Sequence, residues 1–175
     1  SEKKEILLPK NIFGTRLNSS GIDLSEKQNL ENLSVKLAKF KDKKINAESI
    51  YFGRNKSADR KFKASSISSN IDMGTINFDD PKDIKDCLEK NNSNEWGKID
   101  VKKRTEILNR VAESIEKDPY ELIFYLINEA GKTIQNAVDE IREGVDFLRY
   151  YAEQALKIIE ERELEGPTGE ENKIL

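Results

Sequence analysis

The sequence predicts a mainly α fold of about five helices and two short strands. Three observations predict it. Apolar residues recur at Ile134, Val138, Ile141, Val145, Leu148, Ala152, Ala155 and Ile159, in steps of four and three that trace one face of a long helix. No proline interrupts that run, and Gly144 is the one weak helix former inside it. The best strand region is Ser65–Phe78, and amphipathic helical stretches follow it to the long helix.

Residues 1–24 read as an irregular arm, with Pro9, Gly14, Gly21 and the polar run Asn18-Ser19-Ser20. Ser25 is the expected cap of a first helix carrying Leu30, Leu33, Leu37 and Phe40, to about Lys41. Lys41–Lys63 mixes charge, Asn and Ser around the apolar knot Ile50-Tyr51-Phe52, and reads as a linker. Ile67-Ser68-Ser69 suggests an exposed strand, and Met73–Phe78 a second. Asp80 caps the next helix and Pro81 suits its first position. Ile84, Cys87 and Leu88 form its inner face, and Asn91–Asn94 ends it.

Asp100 caps a helix whose apolar face is Val101, Ile107, Leu108, Val111, Ala112 and Ile115, to about Lys117. Asp118-Pro119 restarts the chain, and Leu122, Ile123, Leu126 and Ile127 carry a helix up to Gly131. Gly131 suits a left-handed helix stop. Thr133 suits the start of the long helix, which is expected to run to about Glu161. Phe147, Tyr150 and Tyr151 lie off its stripe, so apolar surface faces a second way.

Composition narrows the chemistry. The chain has 175 residues, 36% of them charged and 36% hydrophobic, with a net charge of −3. That balance predicts no bulk attraction to nucleic acid or anionic membrane. No apolar run approaches the ~20 residues of a membrane span. The segment Ile6-Leu7-Leu8 before Pro9 is too short for a secretory leader, so cytoplasm is the expected location. One cysteine and no histidine exclude an internal disulfide, a Ser-His-Asp triad and a histidine metal site.

Each candidate motif has a plain reading beside it. Gly131-Lys132-Thr133 looks like the tail of a phosphate loop, but the glycine required five positions earlier is Leu126. Cys87 on an apolar helix side reads as a buried structural thiol rather than a nucleophile. Lys36, Lys39, Lys41, Lys43 and Lys44, interleaved with Phe40 and Tyr51, read as a solvated face before a nucleic-acid patch. Glu143 has Asp139, Glu140, Asp146 and Phe147 at its helical neighbour positions, so no basic residue can pair with it along the helix. It is either a solvated carboxylate on an acidic helix or a ligand for an external cation. Arg142, by contrast, has Asp139 and Asp146 within reach.

Glu129-Ala130-Gly131-Lys132-Thr133, Asn136-Ala137 and the run Glu140–Ala152 resemble the aldehyde dehydrogenase superfamily. More narrowly they resemble the L-glutamate γ-semialdehyde (1-pyrroline-5-carboxylate) dehydrogenase module of bifunctional proline utilisation A proteins. Phe13-Gly14, Asn18-Ser19 and Gly21–Leu24 resemble the segment entering that module, and Gly166–Asn172 the loop after the long helix. The resemblance implies an arm, helix and linker at 1–63 and the N-terminal portion of the NAD-binding domain of an α/β dehydrogenase at 64–175. It also implies that the Pro-Trp-Asn-Phe motif, the catalytic glutamate and the nucleophilic cysteine lie beyond Leu175.

This chain is therefore expected to be an incomplete module, inactive alone, whose helices were shaped to cover a nucleotide-binding sheet. NAD is the implied cofactor of the parent, and FAD only if a proline dehydrogenase module is also present. The implied partner is the remainder of the module, with self-association through uncovered apolar faces. The resemblance puts Glu143 at a substrate-facing position, able to pair with the substrate's ammonium group; no catalytic, cofactor-binding or metal residue is carried over. The alternative is a stand-alone helical interaction module without enzyme activity.

Overall fold

In a computed structural model, the described residues are 7–51, 54–55, 60–66, 72–90, 95–159, 162–164, 166–169 and 172–174. Six α-helices fall among them: α1 (Lys27–Ala38), α2 (Pro81–Lys90), α3 (Glu95–Lys98), α4 (Val101–Lys117), α5 (Tyr120–Asn128) and α6 (Ile134–Ile158). All but the four-residue α3 were legible as periodic stretches. The strands are β1 (Ile45–Ala47), β2 (Ile50–Tyr51), β3 (Arg54–Asn55), β4 (Arg60–Ser65), β5 (Asp72–Phe78), β6 (Arg162–Leu164) and β7 (Asn172–Ile174). Only β4 and β5 exceed three residues, with six and seven. Contacts divide the chain into two compact units, Ser1–Ile22 with Trp96–Pro119 and Asp139–Leu175, and Asp23–Glu95 with Tyr120–Val138.

The second unit holds a three-stranded sheet in the order β1-β5-β4. β1 runs parallel to β5, with Ile45 opposite Gly74, and β4 pairs antiparallel from Arg60–Phe78 to Ser65–Asp72. Gly74 is required there: its φ is +123°, and a Cβ would lie 1.8 Å from the Ile45 carbonyl oxygen. The expected linker at 41–63 thus contributes sheet strands, and β2 and β3 pair as a short antiparallel ribbon. The expected strand at 67–69 lies outside the described residues, as does the terminator at 91–94.

Beside the sheet's residues in sequence, α1 packs on α5. Leu33, Ile123 and Phe124 are buried, and the Phe40 ring lies 6.1 Å from that of Phe124. α1 begins at Lys27 without a side-chain cap. Ser25 is not its cap, because its N–H and hydroxyl both donate to Asp23, at 2.9 and 2.7 Å. The helix also ends at Ala38, and Lys39–Asp42 is a turn. Asp80 does cap α2, accepting from the Lys82 N–H at 2.8 Å. Cys87 is half-buried rather than buried.

In the first unit, Asp100 caps α4 by accepting from the Lys102 N–H at 2.8 Å. α6 opens in the second unit, where Gly131 has φ +69° and Thr133 Oγ1 accepts from the Asn136 N–H at 3.2 Å, and from Asp139 it belongs to the first. α6 stops at Ile158, three residues short of the expected Glu161. Along it Val138, Val145 and Ala152 are buried, and Ile141 and Leu148 half-buried. The stripe frays at its ends, where Ile134 and Ile159 are exposed. Past α6, β6 and β7 pair antiparallel, from Arg162–Ile174 to Leu164–Asn172.

Candidate functional site

Glu143 is exposed on α6, with Val145 wholly buried on the helix's other side. Among the described residues it has no hydrogen-bond or ion-pair partner. Helical periodicity sets Phe147 and Tyr150 on its side. Phe147, Tyr150 and Tyr151 are 50%, 41% and 59% exposed, values that leave their rings available to something outside. The Tyr151 ring centroid lies 5.9 Å from Phe147 and 5.3 Å from Tyr150. A carboxylate one helical turn from the exposed ring of Phe147 is suited to an organic cation, which would meet a negative charge and a negative ring face.

The other acids of this helix are occupied. The Ser19 N–H donates to Asp146 Oδ1 at 2.7 Å and the Ser19 hydroxyl to Oδ2 at 2.8 Å. Asp146 was expected within reach of Arg142. Instead it takes Ser19, and Arg142 keeps only Asp139 at 3.9 Å. Glu153 accepts from the Thr15 hydroxyl at 2.7 Å and from Lys157 at 2.7 Å, with Arg16 at 3.4 Å. Glu116 on α4 accepts from Arg149 and, at 3.1 Å, from the Ser20 N–H.

Thr15–Gly21 therefore lies along α6 as a strap, running against the helix direction. From Glu153 to Asp146 is seven residues, about 10 Å of helix rise. From Thr15 to Ser19 is four, up to ~13 Å of extended chain, so the two spans match. Gly21, with φ +65°, approaches Arg142 so closely that a Cβ would lie 2.4 Å from Arg142 Cδ. Arg16 stacks 3.8 Å from the Phe13 ring centre and 5.6 Å from that of Tyr150.

Burial pushes the Glu116 carboxyl up, but the Arg149 and Ser20 hydrogen bonds and the charges of Arg149 and Lys10 outweigh it. The group is held below its ordinary value. Glu153 is also lowered, first by Lys157 and then by the Thr15 hydroxyl. A cleft of about 510 Å³ beside the strap is lined by Lys10, Thr15, Arg16, Glu116, Arg149 and Glu153. Two of its three carboxylates, Glu116 and Glu153, are already tied into the strap, and the third is Glu113.

Elsewhere the basic residues read as a solvated face serve their own unit. Lys43 pairs with Glu121 at 2.5 Å, Lys44 with Asp72 at 2.6 Å, and Lys36 sits 5.1 Å above the Tyr120 ring. Gly131-Lys132-Thr133 is a helix-to-helix turn whose Lys132 N–H closes on the Leu126 carbonyl at 3.1 Å. The junction from β5 to α2 is no better suited to a dinucleotide. Asp79 and Asp80 stand there, Asp80 occupies the Lys82 N–H, and a pyrophosphate would meet two carboxylates. Neither of these two loops fits a dinucleotide's pyrophosphate.

These features belong to a recognisable class. The sequence model of the Aldehyde dehydrogenase family matches residues 54–175, and the chain belongs to that family. Its relatives include the bifunctional protein PutA of Escherichia coli (strain K12), 33% identical over 160 residues covering 86% of this chain. They also include the 1-pyrroline-5-carboxylate dehydrogenase of Staphylococcus saprophyticus, 27% identical over 165 residues covering 89% of this chain. The chain spans 12% of the first protein's length and 31% of the second's. Among solved structures, proline utilization A from Bdellovibrio bacteriovorus shares the fold, with a TM-score of 0.79, 21% identity, and coverage of 88% of this chain and 16% of that one. The Mycobacterium tuberculosis Δ-pyrroline-5-carboxylate dehydrogenase does so with a TM-score of 0.75 and 17% identity over 94% of this chain and 31% of that one. The mainly α architecture is thus part of the larger α/β aldehyde dehydrogenase fold.

Sequence reasoning singled out Glu143 and missed the strap. Ser19 and Asp146 are 127 positions apart, beyond any local pattern. The only signal was the polar, glycine-ended run Asn18–Gly21.

Proposed function

We propose that these residues form part of an NAD-dependent dehydrogenase that oxidises L-glutamate γ-semialdehyde, in equilibrium with 1-pyrroline-5-carboxylate, to glutamate. The reading is supported by relatives named for that activity, and by one observation in this chain. Glu143 stands exposed and unpaired among the described residues, one helical turn from the exposed ring of Phe147. We assign Glu143 the substrate's ammonium group: its charge favours the amino-bearing aldehyde over one lacking nitrogen. NAD would accept the hydride and be held by residues other than those described here. FAD enters only if the whole protein also carries a proline dehydrogenase module, and the cytoplasm is the compartment we assign.

In the complete enzyme, Glu143→Ala should raise KM for the semialdehyde about tenfold, the cost of one lost charge pair, and leave KM for NAD unchanged. Equal effects on both would overturn the assignment. The 175-residue chain assayed alone with NAD and semialdehyde should give no turnover, since its lone cysteine is half-buried on α2. Measurable turnover by pure chain would overturn that part of the reading.

A further inference from the structure

We propose that the strap Thr15–Gly21 sets the position of Glu143, with Ser19, Gly21 and Asp146 as positioning residues. The inference rests on the reading of Glu143 as a substrate contact. Glu143 has no partner of its own among the described residues, so α6 alone decides where its carboxylate points. The weakest helix former of α6 stands at this spot. Gly144 follows Glu143 directly, and a Cβ there would meet nothing within 4 Å, so packing does not brace it.

The strap braces the helix on both sides of this weak point. One residue before Glu143, Arg142 is pressed by Gly21, whose positive φ brings the arm backbone close. Two residues after Gly144, Asp146 takes both donors of Ser19, at 2.7 and 2.8 Å. Such two-pronged hydrogen bonding to a carboxylate fixes direction as well as distance. Ser19 is 4% exposed, so water competes poorly for the same oxygens. Further along, Thr15 and Glu153 fix the register of the strap. The contacts also divert neighbouring charges: Asp146 is satisfied by Ser19, and Arg142 is held against Gly21. Glu143 is thereby kept from competitors for its cation.

Two measurements test this. In the 175-residue chain, Asp146→Ala should speed amide exchange at Gly144–Phe147 about tenfold, and Ser19→Ala less, because its N–H still donates. Ser19→Thr retains the hydroxyl and should restore slow exchange. Unchanged exchange in Asp146→Ala overturns the strap. In the complete enzyme, Ser19→Ala and Gly21→Ala should raise KM several-fold for the amino-bearing semialdehyde. KM for an aldehyde of equal length without the amino group, and for NAD, should not move. A fall in kcat with no such split, while Glu143→Gln does show it, overturns the positioning role. If Glu143→Gln itself shows no split, the substrate-contact reading falls first and takes this inference with it.

Discussion

Val145 is a buried anchor of α6. It has no exposed surface, so Val145→Ala should cost about 2 kcal/mol through lost transfer energy and a small cavity, read as a lower denaturation midpoint. Gly131→Ala should cost about 1 kcal/mol for a different reason, since φ of +69° strains any side chain. Both were legible in sequence, one from the apolar stripe and the other from its place between two periodic runs. The isolation of Glu143 was legible too, because helix neighbours sit at fixed offsets. The fate of Asp146 was not. Its expected partner Arg142 lies one turn away, but the bonds it makes are to Ser19, which no local rule could bring there.

Among elements, length decided what could be read. Helices of nine or more residues repeat their pattern often enough to stand out, and five such stretches were found. β1, β2 and β3 have two or three residues each, too few for an alternation, and their pairing is visible only once β5 is in place. The strap is an element of another kind, held by carboxylates, and so it should be acid-labile. Glu116 and Glu153 lie below their ordinary values when folded. Their contribution is therefore present above the ordinary carboxylate range and is lost as pH falls through the lowered values. The Ser20 amide resonance should hold steady through the ordinary carboxylate range and shift only below it. Arg149→Met removes the strongest support of Glu116 while burial still pushes it up, so the same shift should move to higher pH.

For the whole molecule, the exposed aromatic and aliphatic side chains matter most. Phe147, Tyr150, Tyr151, Trp96 and Ile158 in one unit, and Leu88, Phe78 and Val35 in the other, are each more than 40% exposed. Scattered single residues would mean little, but the three rings on α6 adjoin one another. The 175-residue chain should bind a hydrophobic dye and sediment heavier as its concentration rises. A monomer that takes up no dye at any concentration would count against uncovered faces. The relatives are much longer proteins, and these are the surfaces through which we expect the rest of the module to attach.

The arm has a mechanical consequence. Bonds at Thr15 and at Ser19, with the close approach of Gly21, fasten it to one helix, α6. Any polypeptide joined ahead of the arm would be moored there, and a tug on that leash would be felt first along α6.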